Sequence, residues 1–372
     1  MAADSAPDAA SAALPSSLAT GDYVLACDKP AGVTSHDVVA SIRRALPRKT
    51  KVGHAGTLDP FATGLLLVLV GRATRAQQFL MALPKTYEAV ARFGAVSDTG
   101  DPEGEIVVTG RLPDGELTLP TGAIMQRPPQ YSAVKVGGRR AYAIARAGGT
   151  VELEPRQIHV YRFEQLADHG DRRTFAIECS SGTYVRTLIA ELGDAYCEQL
   201  RRTRIGRFDV ADCNPQRPIP LTQALSFLPA VALDADQGRR AAHGQTLALD
   251  ELPALDRTVD LDLVRLLDPD GLVGLAAPDS SGAGHRRRSG TKVERRRAGQ
   301  RVLGSRIALA GMVVIVAVSE EREELQQVEE ERIGARPCEG HDAVRQCRAA
   351  RLIVFERSDF RQQRVGGADL DR

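Results

Sequence analysis

Residues 51–70, Lys-Val-Gly-His-Ala-Gly-Thr-Leu-Asp-Pro-Phe-Ala-Thr-Gly-Leu-Leu-Leu-Val-Leu-Val, constrain this chain more than any other stretch. Gly56 and Pro60 bracket a polar turn that carries Asp59, with His54 before it and Gly64 after it. Proline fixes φ and glycine reaches φ > 0, so the pair can hold a tight turn around one carboxylate. Leu65 to Val70 follow at once, six apolar residues without a charge and long enough for one buried element. A polar turn pinned to a rigid buried element is how a fold presents a reactive side chain to a cleft. Taken alone, Asp59 is no more than the acid of a common Asp-Pro turn.

Hydrophobic period and turn residues give a coarse map of the rest. Thr34 or Ser35 suits the cap of a helix starting near His36, with Asp37 in its first turn favoured by the dipole. Residues 86–93 alternate and read as a strand, and residues 94–104 are a loop of turn formers. Residues 151–163 and 173–178 are further strand candidates around a turn at 168–171. Over 185–197, Val185, Leu188, Ile189 and Leu192 have helical spacing, which puts Tyr184 and Arg186 at a strand–helix junction. Strands and helices interleave without regular βαβ spacing, so the expected class is α+β with a mixed, largely antiparallel sheet.

Composition sets bounds. With 372 residues there is room for two domains. Net charge is only +1, so contact with a nucleic acid has to come from local basic patches. Six cysteines without a CxxC pair indicate neither a zinc site nor a redox motif, and fit thiols in a reducing cytoplasm. Residues 1–20, rich in Ala, Ser and Pro, lack a basic start and a long apolar core, and read as a disordered leader. The late apolar run at 307–318 is too short to span a bilayer. A soluble, cytoplasmic chain without a membrane segment is expected.

The string at 51–70 resembles the signature of the bacterial tRNA pseudouridine-55 synthases, the TruB family, in which this Asp is the catalytic residue. Residues 24–39, with Lys29-Pro30 and Thr34-Ser35-His36-Asp37, look like the family's first motif. Residues 85–90, with Tyr87, resemble the segment whose Tyr stacks on the target base. Residues 127–135 and 138–142 match a further block, residues 180–188 the motif carrying an active-site Tyr and Arg, and residues 200–206 the domain's closing motif. The motifs keep the family's order from Tyr23 to Phe208.

The resemblance implies isomerisation of uridine to pseudouridine in the T-loop of tRNA, with the target base flipped out. It implies Asp59, Arg186 and Tyr87 in the chemistry, and His54, Tyr87, Tyr184 and Leu200 against the substrate. His54 would fill the vacated stack, Tyr87 would lie over the uracil, Tyr184 would close the pocket, and Leu200 would abut the base. Whether Asp59 acts as nucleophile or base stays open. An opposite charge within ~4–6 Å lowers a carboxylate pKa by ~1–3 units, so Arg186 is expected to keep Asp59 ionised. No cofactor, no metal and no protein partner are implied, and a monomer is expected. Two other readings are an RNA-binding or tRNA-folding protein and a guide-RNA-dependent synthase.

Arg43, Arg44, Arg48, Lys49 and Lys51, then Arg139 and Arg140, then Arg201, Arg202, Arg204 and Arg207 form basic clusters suited to phosphates. The expected division is a catalytic domain at 21–228, a small β-rich PUA-like domain at 229–282, and an atypical charged tail at 283–372. Residues 285–301 carry seven Arg and one Lys against one Glu, while 319–332 carry seven Glu against two Arg. This is either a functional extension or a disordered tail produced by an altered reading frame, and composition favours the second.

Overall fold

The computed structural model describes residues 21–245, 247, 251–252, 263–278 and 312–315. The leader at 1–20 and most of the tail at 283–372 lie outside them. By its contacts the chain divides between Ala224 and Leu225.

The first unit opens with β1 (Tyr23–Lys29), α1 (Ser35–Ala45), β2 (Val52–His54) and β3 (Thr63–Val70). Thr34 caps α1 in a complete capping box, its hydroxyl taking the Asp37 N–H while the Asp37 carboxylate takes the Thr34 N–H. Val38, Val39 and Ile42 pack with Leu25, Leu66 and Val68, one face of β1 and β3. Every residue of β3 after Thr63 is buried, and each Leu so placed contributes about 1.5–3 kcal/mol. Next come α2 (Gln77–Ala82), β4 (Lys85–Phe93), β5 (Ala95–Ser97), β6 (Ile106–Val108), β7 (Gly122–Gln126), β8 (Lys135–Val136), β9 (Arg139–Arg140) and α3 (Ala141–Ala145). Residues 95–97, expected in a loop, pair with β6 as a small ribbon.

The unit continues with β10 (Arg156–Asp168), β11 (Arg172–Cys179), α4 (Val185–Ala190), β12 (Ala195–Ile205), β13 (Phe208–Asp209), β14 (Ile219–Pro220) and α5 (Leu221–Ala224). The helix expected over 185–197 stops at Ala190. Gly193 has φ 139, outside helical space, and Ala195–Cys197 then run as β12. Val185, Leu188 and Ile189 are buried as their helical spacing requires.

A ten-stranded sheet has the order β14-β1-β3-β12-β4-β11-β10-β7, with β2 beside β3 and β13 beside β12. All its pairings are antiparallel except β12 with β3. β1 covers one edge of β3 from Gly64 to Val70. The other edge is split: β2 pairs with Val68–Val70, and β12 with Thr63 and Gly64. Residues 55–62 leave the sheet through the gap between them.

In the second unit β15 (Ala230–Ala232), α6 (Ala235–Ala242), β16 (Val264–Asp268), β17 (Gly271–Pro278) and β18 (Met312–Ile315) follow. The strands form a four-stranded sheet in that order, with Asp234 capping α6. β18 belongs to the stretch read from composition as a tail, and it pairs antiparallel with β17.

Candidate active site

The loop carrying Asp59 is fastened from two sides. Lys29 is fully buried at the end of β1, and its Nζ donates to the carbonyls of Pro30 (2.9 Å), Val33 (2.7 Å) and Pro60 (3.2 Å). The Gly32 N–H also donates to Pro60 (2.9 Å). Ser35 Oγ accepts the Leu58 N–H (2.8 Å) and donates to the Leu58 carbonyl (3.1 Å). The Lys-Pro and Thr-Ser strings therefore hold residues 58–60 in addition to starting α1. Burial pulls the Lys29 ammonium down to about 8, against the charge of Asp59, which acts to raise it.

From the opposite side Arg202, buried on β12, donates to the carbonyls of Leu65 (2.8 Å), Gly56 (3.0 Å) and Thr57 (3.5 Å). β12 comes this close only because residue 64 is glycine. Gly64 has φ 104, and a Cβ there would lie 2.3 Å from the Arg202 carbonyl oxygen.

Between these anchors the Asp59 carboxylate meets Arg186, with Nε 2.9 Å from Oδ2 and Nη2 3.4 Å from Oδ1. Arg186, buried in the first turn of α4, has further partners: Nη1 reaches Asp101 Oδ2 (2.8 Å) and the Thr99 carbonyl (2.6 Å), and Nη2 the Tyr131 carbonyl (2.9 Å). Asp101 is itself buried, and takes the Thr99 hydroxyl (2.6 Å) and the Glu103 N–H (3.0 Å) on Oδ1. A guanidinium thus lies between two carboxylates, one fixed and one, Asp59, 35% exposed and open to a substrate.

Burial raises the Asp59 pKa above the ordinary carboxylate value; Arg186 opposes this and the Asp101 charge adds to it. Arg186 acts in the expected direction, but the net shift is upward because desolvation outweighs it.

Tyr87 lies buried on β4, with a raised phenol pKa caused first by burial and opposed by the charge of Arg202. Tyr184 caps α4; its N–H donates to Gln126 Oε1 (2.8 Å), and its carbonyl accepts from Gln126 Nε2 (3.0 Å). Burial raises its pKa. Both phenols sense the charge of Asp59. His54 ends β2, its carbonyl accepting from Gln77 Nε2 (2.8 Å). Burial, then Arg202, lowers the His54 pKa, so near neutral pH the ring is an uncharged plate. Leu200 is buried on β12 in the cluster that holds Leu58, Ala62 and Tyr87.

The structure thus brings Asp59, Arg186, Tyr87 and Tyr184 together, with His54 at the start of the same loop. Sequence reasoning missed Asp101, Gln126 and the anchoring roles of Lys29 and Arg202. Turn composition at 98–101 says nothing of burial, and a cation that bonds carbonyls has no spacing signature.

The basic clusters need one correction. Arg202 faces the loop, not solvent, because the gap in the β3 edge offers it carbonyls. Arg201 pairs with Asp28 (2.7 Å) and Arg204 with Asp209 (3.0 Å), whereas Arg43, Arg44, Arg48, Lys49, Lys51, Arg139, Arg140 and Arg207 are exposed. Among the described residues no group of three or more His, Cys, Asp or Glu could hold a metal ion.

Residues 43–185 match the family described as TruB family pseudouridylate synthase (N terminal domain). A Mycobacterium tuberculosis protein named tRNA pseudouridine synthase B is 40% identical over 282 residues, covering 68% of this chain and 94% of its own. A Rhodococcus jostii protein of the same name is 42% identical over 292 residues, 72% of this chain and 90% of its own. Among solved structures, a chain of a Cbf5-Nop10-Gar1 complex aligns with a TM-score of 0.52 at 29% identity, covering 69% of this chain and 78% of that one. With relatives aligned over nearly their whole length, and with Asp59 and Arg186 paired where the motifs implied, this chain belongs to the TruB family of pseudouridine synthases.

Proposed function

We propose that the chain is a tRNA pseudouridine synthase acting on the T-loop uridine at position 55, with Asp59 as the residue that starts the chemistry. The observation that carries this reading is the Asp59–Arg186–Asp101 arrangement on a loop anchored from both sides. The reaction breaks the bond between ribose C1′ and uracil N1, turns the base and joins C5 to C1′. N1 gains a proton and C5 loses one, so atoms balance without a redox partner.

Asp59 attacks or deprotonates the ribose as a carboxylate, and Arg186 favours that ionised form against the penalty of burial. Arg186 also limits the directions in which the carboxylate can point, because its other nitrogens are tied to Asp101, Thr99 and Tyr131. Tyr87 and Tyr184 offer flat faces to the flipped uracil, and His54 a neutral ring for the vacated stack. Leu200 completes the apolar wall. Exposed cations on α1 and at residues 48–51 supply phosphate contacts, and Lys49, Lys51, Arg72 and Arg75 line a hollow there.

Residues 21–228 are read as the catalytic domain, residues 229–282 as a PUA-like module, and the protein as a cytoplasmic monomer. The test is direct: the purified chain is incubated with unmodified tRNA and pseudouridine is mapped by position. Product at the T-loop uridine supports the reading, and a folded chain that makes none overturns it. Modification appearing only after a guide RNA is added would favour the guide-dependent alternative.

A further inference from the structure

Arg202 is an unusual residue to find where it is. It is 1% exposed, it makes no ion pair among the described residues, and it donates to the main-chain carbonyls of Leu65, Thr57 and Gly56. Burying a cation without a carboxylate is costly unless its donors are well satisfied. A Leu at this position would avoid that cost, so packing alone does not account for the guanidinium.

Its location suggests why it is there. In register, Arg202 stands opposite Gly64 on β3 and opposite Tyr87 on β4. It therefore joins the strand that follows the Asp59 loop to the strand that bears the uracil-facing phenol. Between β2 and β12 the β3 edge lacks a strand partner. There the Leu67 carbonyl takes the Ala55 N–H (2.9 Å), and the Leu65 carbonyl takes Arg202 Nε (2.8 Å). The remaining fork reaches back to Gly56 (3.0 Å) and Thr57 (3.5 Å), two and three residues before Asp59. Across the β12–β4 ladder its charge also acts on the Tyr87 phenol, its partner in register. Five donors in a rigid plane can span these targets at once; an ammonium on a flexible stem cannot.

We propose that Arg202 is a positioning residue for the isomerisation, locking the Asp59 loop and the Tyr87 ring in one register through its buried guanidinium. The proposal rests on the synthase reading above. It makes a distinction that a general structural role does not. If Arg202 acts through Tyr87 as well as the loop, its loss and the loss of the Tyr87 hydroxyl overlap.

The experiment is a double-mutant cycle with Arg202→Lys, Tyr87→Phe and the double variant on unmodified tRNA. It measures single-turnover pseudouridine formation, tRNA dissociation constants and melting temperatures. A displacement of about 1 Å can cost on the order of a hundredfold in rate, and a loss of that size is expected for Arg202→Lys with the dissociation constant within about threefold. In the Tyr87→Phe background the same change should cost at least about fivefold less than in wild type, because coupled residues are not additive. Wild-type speed in a folded Arg202→Lys overturns the proposal alone. So do strictly additive losses, or a variant unfolded at the assay temperature, each of which leaves Arg202 purely structural. A folded wild-type chain that forms no pseudouridine overturns the synthase reading and this proposal with it.

Discussion

Nη1 and Nη2 of Arg186 donate hydrogen bonds while Nε stands 2.9 Å from Asp59 Oδ2, and these contacts set opposite predictions for its two carboxylates. Asp59→Asn should abolish turnover while tRNA affinity stays within about tenfold, because one carboxylate carries the chemistry and many phosphate contacts carry binding. A tenth of wild-type rate in that variant would remove Asp59 from its role. Arg186→Lys keeps the charge but loses the planar fork, and should slow turnover roughly a hundredfold, the scale of one lost preorganised contact. Arg186→Met should slow it further. The cation lowers the Asp59 pKa, so removing it raises that pKa, and the acid limb of the rate profile moves to higher pH. Asp101→Asn should do the reverse: the Asp101 charge raises the Asp59 pKa, so the limb moves to lower pH while the rate falls about tenfold from a looser Arg186. Limbs that move together in the two variants would disprove this electrostatic account. The motifs made Asp59 and Arg186 legible from sequence. Asp101 was not, because its burial depends on Arg186, which is 85 residues away in the chain.

The two elements that matter most are β3 and β12, and they differ in how well the sequence revealed them. The uninterrupted apolar run marked β3 as buried, and the Thr34 cap marked α1. β12 was hidden because the helical spacing of Val185, Leu188 and Ile189 extends by chance to Leu192, beyond where the helix ends. Only the Gly193 conformation and pairing with β4 turn the following residues into a strand, and pairing is a tertiary fact. The β3–β12 approach yields a stability prediction. Gly64→Ala places a Cβ 2.3 Å from a main-chain oxygen at φ 104, so strain and overpacking should together cost on the order of 3 kcal/mol. Urea unfolding should give a lower midpoint with an unchanged slope. Native stability in Gly64→Ala would mean that β12 can move away from β3. Turnover in that variant should fall as well, since the displaced strand carries Arg202.

At the scale of the whole molecule, every residue assigned to the chemistry lies between Lys29 and Arg202, inside the first unit. Ending the chain at residue 282 should therefore leave single-turnover formation of pseudouridine within about threefold of the full-length rate, since no preorganised contact at Asp59 is touched. The second unit should respond differently. There β18 pairs with Leu275, Ala276, Ala277 and Pro278 of β17, and truncation removes that pairing. At a net ~0.5–1.5 kcal/mol per hydrogen bond, the loss is on the order of 2 kcal/mol. A thermal scan of the truncated chain should show a transition moved to lower temperature, with the rate at low temperature unchanged. The Arg-rich run at 285–301 and the Glu-rich run at 319–332 made the whole of 283–372 look foreign on composition alone, although β18 falls between them. Intact mass measured on the natively produced protein tests the altered-frame reading, which a full-length species would eliminate. A hundredfold loss of kcat/KM in a folded, monodisperse truncation would instead put residues beyond 282 in the RNA site, and the loss should then weaken as salt is raised, because phosphate contacts matter less at high ionic strength.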